Sequence, residues 1–524
     1  MPPTPPPLTR RQLLSGLAAL SAAAVTGCGS GSAHGPSPGP PTTSAGPTAT
    51  VAPPDWDGLR ASMRGTLLRP ADAPYDAARL LFNRRFDGIR PQAVAQAATE
   101  QDVVTCVRFA RDHDVPLRVR AGGHSYLGAS AGDGLVVDLR RLADVATRGS
   151  RATIGGGATL LEVYRTLAAH GVSIPAGSCP SVGLSGLALG GGMGVVARQY
   201  GLTCDRLVRA RVVLADGRVV TAGTDEDADL LWALRGGGGN FGVVTELEVD
   251  THPTRELAVF TWSWSWTDAA AVLTGWQQWA VAQPDALWST CHLLATTDAS
   301  GPTVSISGVC LGGSAVLRGL LDGLRSAVGR APRHSYLADK DYLDTMRLEA
   351  GCSSISDQAC QVRDFGGNGA LPRDAFVAAS DVFERPIAAA DVDALASAVQ
   401  SRQDDPALGV GGVGFDSWGG AVGAVAPGDT AFVHRRALFV AQYTASWQDQ
   451  AGNGPQAANQ ASLQAMRAAL RPSATGSAYQ NYADPTLPDP LQAYYGSNLR
   501  RLRQLKKRYD PDQFFQLPQG ISPG

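Results

Sequence analysis

Arg118-Val119-Arg120-Ala121-Gly122-Gly123-His124-Ser125-Tyr126 is a strand pattern that runs straight into two glycines and a histidine. Leu117–Arg120 has the alternation of a short strand, and glycine at its end lets backbone N–H groups approach an anion with no Cβ between. It is not the G-x-G-x-x-G nicotinamide-dinucleotide fingerprint, because no helix follows directly. Taken alone, the turn is weak evidence and reads more readily as a surface or hydrogen-bonded histidine. Two later stretches share its character. Pro175-Ala176-Gly177-Ser178-Cys179-Pro180-Ser181-Val182-Gly183 continues into Leu189-Gly190-Gly191-Gly192-Met193-Gly194, with six Gly in residues 183–194. Arg235-Gly236-Gly237-Gly238-Gly239-Asn240-Phe241-Gly242 places four consecutive Gly before a strand. So little side-chain bulk suits backbone pressed against a large flat ligand. The plainer alternative is a set of glycine turns with Cys179 as a small buried residue.

Outward from these loops, residues 90–250 alternate strand and helix signals. Ala93–Ala98 reads as a strand. Thr99 caps a helix whose stripe is Val103, Val104, Val107 and Ala110. Gly134–Leu139, Ala152–Ile154 and Val243–Val249 read as strands, and Leu207–Leu214 pairs with Arg218–Thr221 about the Asp216-Gly217 turn. Leu160, Val163, Tyr164 and Leu167 line one helical face, closed by Gly171. After His252-Pro253 the composition changes. Residues 258–296 hold six of the ten Trp, and Val304–Leu311 faces Ser289–Thr296 as a hairpin. The expected organisation is 56–252 as one domain, 253–474 as a second built on an antiparallel sheet, and 475–524 completing the first. Trp in such a sheet can stack on sugar rings, but is more often core.

The chain has 524 residues with 45 Lys plus Arg against 47 Asp plus Glu, a formal net charge of −2. That balance excludes a nucleic-acid binder working through a concentrated basic face. Apolar residues at 44% suffice for a large core, and 61 Gly with 34 Pro fall short of a low-complexity chain. At the start, Thr9-Arg10-Arg11-Gln12-Leu13-Leu14 precedes a short apolar run ending in Val25-Thr26-Gly27-Cys28. Paired arginines before a weakly hydrophobic stretch resemble a twin-arginine export signal, with an ordinary secretory signal as the alternative. Val-Thr-Gly-Cys resembles a lipobox, which makes 1–27 a signal peptide and Cys28 an acylated anchor at the outer face of a bacterial membrane. The run is too short to span a bilayer, so association with the membrane would be through lipid. Residues 28–55, rich in Gly, Ser, Pro and Thr, read as a flexible tether.

Together the three glycine stretches resemble, in order, the flavin module of the berberine-bridge-enzyme-like oxidases, within the vanillyl-alcohol-oxidase superfamily. Tyr479-Gln480-Asn481-Tyr482-Ala483-Asp484, Tyr494-Tyr495-Gly496-Ser497-Asn498 and Tyr509-Asp510-Pro511 add an independent C-terminal match, and Phe415–Gly420 with Thr430–Arg435 fit between. The resemblance covers roughly residues 80–523. It implies an α+β, two-domain PCMH-type FAD-binding fold with an antiparallel-sheet substrate domain covered by helices.

The resemblance also implies roles. FAD is expected to be held by two covalent bonds, from His124 to the 8α-methyl and from Cys179 to ring carbon 6. Val119, Arg120, Ala121, Gly122, Gly123, Ser125, Gly177, Ser178, Val182, Gly183, Gly186, Gly191, Val244 and Asn481 are the remaining cofactor-binding positions. Hydride leaves a substrate C–H while a base takes the hydroxyl proton. Tyr482 is the favoured base, Tyr479 the runner-up, and Tyr126 sits near the ring. Gln442 stands where some members carry a Glu base, and an amide there favours tyrosine chemistry. Val182 matches a position associated with oxygen use, so hydrogen peroxide is the expected co-product. Leu187 departs from the family's usual His.

The expected substrate is a small alcohol, sugar, oligosaccharide or secondary metabolite, with O2 as acceptor. The alternatives are a dehydrogenase using a non-oxygen acceptor, or a non-catalytic envelope binding lipoprotein. No metal is expected, because no C-x-x-C pair or His cluster is present. Setting Cys28 and Cys179 aside leaves Cys106, Cys204, Cys291, Cys310, Cys352 and Cys360, and six Cys allow 15 pairings. Cys352–Cys360 is the foremost disulfide candidate, with a Cys291–Cys310 cross-strand pair as another possibility.

Overall fold

The computed structural model describes residues 53–297, 301–363, 369–447 and 454–524. The expected signal peptide, Cys28 and nearly all of the tether lie outside the described residues. No described helix is long and apolar enough to cross a membrane.

Two larger sheets, beside a two-stranded pairing of Val172–Ser173 with His252–Pro253, build the first half. A four-stranded sheet runs in the order Thr66–Leu68, Ala93–Gln96, Leu135–Asp138, Leu117–Arg120, and its last two pairings are parallel. The helix Glu100–Asp112 packs over it. Thr99 caps that helix through a reciprocal capping box with Asp102, and Val103, Val104, Val107 and Ala110 are all buried. The second sheet runs Val145–Arg148, Arg151–Gly155, Val243–Asp250, Leu207–Val213, Val219–Gly223 and is wholly antiparallel. Strand and helix signals that alternate in sequence therefore divide between two sheets, and only the first has parallel neighbours.

From Leu257 onward the chain forms a seven-stranded antiparallel sheet. Its spatial order is His334–Lys340, Leu257–Trp264, Thr303–Cys310, Leu287–Ala295, Gly411–Ser417, Phe439–Trp447, Ala375–Phe383. Side chains alternate across a strand, so one face carries Cys291, Leu293, Val413, Phe415, Ala441, Tyr443 and Ala445. That face is buried in one apolar cluster with residues of the helices Ala269–Val281, Gly313–Val328 and Ala389–Gln403. Trp262, Trp264, Trp276 and Trp279 belong to this same cluster. These four are thus core material, whereas Trp288 of the same stretch lines the cavity described below. The opposite face carries Thr290, His292, Asp416, Gln442, Thr444 and Ser446, polar yet buried.

The chain's end returns to the first half. Tyr494, Tyr495, Leu499, Leu502, Leu505, Tyr509 and Ile521 join one core with Ile154, Leu160, Val212, Leu231 and Val244. Lys506, buried in the helix Leu499–Tyr509, fixes the tail that follows. Its Nζ donates to Asp510 at 2.6 Å, to the Asn240 carbonyl at 2.7 Å and to the Phe515 carbonyl at 3.0 Å. Cys352 and Cys360 form a disulfide. Cys291 and Cys310 do not pair: the register sets Cys291 opposite Ile306 and Cys310 opposite Leu287. Both stay buried thiols, as do Cys106 and Cys204.

Candidate active site

One cavity of about 460 Å³ lies between the glycine loops and the polar face of the seven-stranded sheet. Residues 121–125, 177–183 and 185–187 form one side, with Gly238–Asn240 and the tail residues Phe515–Gly520. Asp416, Gln442, Thr444 and Ser446 come from the sheet, and Tyr479–Ala483 close a further wall.

The glycines create this shape in two ways. Gly122 and Gly183 let the two loops touch backbone to backbone. A Cβ on Gly122 would stand 2.2 Å from the Gly183 nitrogen, and one on Gly183 would stand 2.4 Å from the Gly122 nitrogen. Gly186 and Gly239 keep the interior open. A Cβ on Gly186 would meet no protein atom within 4 Å, and one on Gly239 only Leu517 at 3.9 Å. Added side chains there would project into cavity space. The N–H groups of Ala121, Gly122, Gly123 and Ser125 find no acceptor among the described residues, so successive backbone donors line the cavity. Such a row of donors suits a pyrophosphate, and the bare glycine walls suit a planar ring system. The residues present fit FAD.

The structure gathers most of the residues expected from the sequence at this cavity, but two lie elsewhere. His124, Cys179, Val119, Ala121, Gly122, Gly123, Ser125, Gly177, Ser178, Val182, Gly183, Gly186, Val244, Asn481, Tyr126, Gln442, Tyr479 and Tyr482 line it. Arg120 does not. Its guanidinium is buried and turned away, donating to Asp138 at 2.7 Å and to the carbonyls of Leu80 and Ala78. Burial alone would raise the Asp138 carboxyl, but Arg120 and Arg140 beside it hold it down at about 2. Arg120 is thus a scaffold ion pair beneath the strand that delivers the loop. Gly191 is also set back, with its φ of +122° against Phe432 and Tyr479.

The tyrosine pair separates into two environments. Tyr479 is 1% exposed, and its phenol oxygen accepts from the Gly192 N–H at 2.9 Å and from Asn481 Nδ2 at 2.8 Å. Burial pushes that phenol well above its ordinary range. Tyr479 therefore serves as a brace for the glycine loop, a poor position for a base. Tyr482 is half-buried, and its ring stacks on Tyr126 at 5.9 Å with planes 6° apart. The Tyr126 hydroxyl accepts from Gln442 Nε2 at 2.6 Å. The 479–484 segment is held by Arg467, which bridges Asp484 at 2.5 Å and Asp381 at 3.1 Å. His124 is held from both sides: Phe82 stacks on its ring at 4.0 Å, and Nε2 lies 2.9 Å from Ser181 Oγ.

Asp416 is the candidate that sequence reasoning missed. It is fully buried, lines the cavity, and sits opposite Thr290 on one neighbouring strand. Two positions earlier, Gly414 leaves room for His292, whose Nε2 would lie 2.9 Å from a Cβ at 414. The available signal was an acid at one alternate position of Gly411–Ser417, in a strand otherwise glycine or apolar on that face.

Comparison with known proteins agrees with this geometry. Residues 91–223 match the FAD binding domain family, and residues 478–522 match the family described as berberine and berberine like. The chain is 31% identical over 474 residues to (R)-6-hydroxynicotine oxidase of Paenarthrobacter nicotinovorans, covering 88% of this chain and 97% of that one. The structure of the BBE-like 1 protein of Physcomitrella patens superposes with a TM-score of 0.79 at 28% identity, covering 89% of this chain and 99% of that chain. Glucooligosaccharide oxidase from Acremonium strictum, whose structure is described as carrying a 6-S-cysteinyl, 8α-N1-histidyl FAD, superposes with a TM-score of 0.79 at 25% identity over 89% of this chain and 99% of its own. A shared fold, both family regions and near-complete coverage of a relative above 30% identity place this chain among the berberine-bridge-enzyme-like FAD-linked oxidoreductases.

Proposed function

We propose that the protein is an FAD-dependent oxidase of CH–OH donors, with sugars and oligosaccharides the first substrates to test. The observation that carries it is the meeting of His124, Cys179, Tyr482 and Asp416 at one cavity walled by glycine on one side and polar strand residues on the other. His124 and Cys179 would tether the cofactor, in keeping with the doubly linked FAD of the glucooligosaccharide oxidase. Bound FAD supplies the hydride acceptor; the protein's part is position, proton transfer and electrostatics.

The substrate hydroxyl sits at the polar face, where Gln442, Thr444 and Ser446 offer hydrogen bonds. Tyr482 takes the hydroxyl proton as the carbon gives up hydride. A phenol ordinarily titrates near 10, so it needs help to act near neutrality. Asp416, a buried acid lining the same cavity, would be the group to receive that proton in turn. Tyr126, fixed by Gln442, holds the Tyr482 ring by stacking and orients it. Val182 lines the cavity half-buried, and the family resemblance links a small residue there with oxygen use, so hydrogen peroxide would be the co-product. From the sequence signals alone we also infer export by the twin-arginine route and lipid attachment at Cys28.

The test has two stages. Acid precipitation of the purified holoprotein should leave a yellow pellet, and a colourless pellet over yellow supernatant would refute covalent attachment. Peroxide release across a panel of mono- and oligosaccharides and simple alcohols should find a turned-over CH–OH donor. Substrate-dependent reduction of a quinone with no peroxide would overturn the oxidase assignment in favour of a dehydrogenase.

A further inference from the structure

His124 and Ser181 belong to different loops, yet the imidazole Nε2 and the hydroxyl Oγ are 2.9 Å apart. The surroundings hold that contact rigidly. Phe82 stacks on the imidazole at 4.0 Å with planes 17° apart. The Gly122 backbone lies so close to the second loop that a Cβ there would stand 2.5 Å from the Ser181 carbonyl. The second loop is itself tied down: Val182 N–H donates to the Cys179 carbonyl at 3.2 Å. The N–H groups of Leu160 and Leu161 donate to Val182 and Pro180 at 3.0 and 3.1 Å. Ser181 is therefore placed relative to both expected tethering residues at once, bonded to one and two positions beyond the other.

We propose that Ser181 is the positioning residue for attachment of the flavin to His124. In this role its Oγ accepts from Nε2–H, so that the proton is held on Nε2 and Nδ1 is left to form the bond. A hydroxyl can donate or accept, and only the accepting sense leaves the Nδ1 lone pair free for attack, so that is the sense the attachment reaction requires. The proposal rests on the two-tether reading above.

The chemistry balances with dioxygen as the oxidant. A carbon–hydrogen bond of the 8α-methyl breaks and a carbon–nitrogen bond to Nδ1 forms. One proton leaves the carbon and one leaves Nε2. The two electrons pass to dioxygen, which takes up both protons to become hydrogen peroxide. Ser181 enters at the start, by fixing which nitrogen carries the lone pair. It enters again at the end, by facing the nitrogen that sheds its proton.

The test isolates the histidyl tether by removing the other one. Full-length Cys179→Ala holoprotein is compared with Cys179→Ala/Ser181→Ala and Cys179→Ala/Ser181→Thr. Total flavin is measured before acid precipitation, and covalent flavin in the redissolved pellet and by intact-protein mass. Cys179→Ala should keep its flavin in the pellet. Adding Ser181→Ala should cut covalent flavin at least tenfold at unchanged total flavin, and Ser181→Thr should restore it. Covalent flavin in the Ser181→Ala double variant equal to that of Cys179→Ala would overturn the proposal, as would parallel loss of covalent and total flavin. A colourless pellet from Cys179→Ala alone would instead overturn the two-tether reading on which it rests.

Discussion

Burial of His252 and His434 predicts that the folded protein loses stability in acid. His434 is 5% exposed, packed edge-on to Phe432, and its ring faces the backbone of Ala478 and Tyr494. His252 is 4% exposed, stacked flat on Tyr200 at 3.9 Å, with Nδ1 3.0 Å from the Pro253 carbonyl. Burial lowers both from 6.5 to about 4. Between those values the unfolded chain binds a proton at each ring that the native state refuses, so stability rises with pH across the window and is lost as pH falls through it. A gap of about 2.5 pH units at about 1.4 kcal/mol each amounts to about 3 kcal/mol per histidine once pH is below 4. Two such groups contribute about 6–7 kcal/mol of acid sensitivity, comparable with the whole stability of many proteins. Guanidinium unfolding followed by tryptophan fluorescence at pH 7 and pH 5 should show about 4 kcal/mol lost in the wild type. His434→Gln should be less stable at pH 7 and yet lose only about half as much on acidification. An unchanged loss in that variant would refute the reasoning, because a titration confined to residue 434 cannot survive its removal.

The tyrosine assignment makes opposite predictions for neighbouring residues. Tyr482→Phe should lower kcat by about 10²–10⁴ while leaving covalent flavin and melting temperature intact, as removal of a proton acceptor does. Tyr479→Phe should instead lower stability by about 1–3 kcal/mol, because the Gly192 N–H and the Asn481 amide lose a buried acceptor, with kcat falling far less. The reverse pattern in stopped-flow reduction and thermal melts would exchange the two roles. Val182→Leu should slow reoxidation by dioxygen while substrate-driven flavin reduction keeps its rate. An oxygen rate constant equal to the wild type would remove Val182 from the oxygen path.

What the sequence could and could not disclose follows from the range over which each signal acts. The glycine loops were legible because a missing Cβ is a local fact: Gly122 and Gly186 announce close approach or open space whatever the rest of the chain does. Capping and periodicity were legible for the same reason, as Thr99 with its buried helical stripe shows. Arg120 was misplaced because a strand's alternation states that neighbouring side chains diverge, and it does not state which face meets a ligand. Only the partner Asp138, on an adjacent parallel strand, settles that the guanidinium points away. Tyr479 and Tyr482 share one short motif and looked interchangeable. What separates them is 287 residues away, where the Gly192 N–H claims one phenol. Asp416 went unassigned because its meaning depends on a register linking three strands far apart in sequence, which brings it opposite Thr290 and leaves Gln442 one row away. The attachment chemistry itself straddles this divide. His124 and Cys179 are readable one at a time, but the hydroxyl that bonds the imidazole comes from the loop bearing the thiol, 57 residues on from the histidine. The two proposed tethers would therefore stand on loops in backbone contact, which is how Ser181 of one loop comes to face His124 of the other.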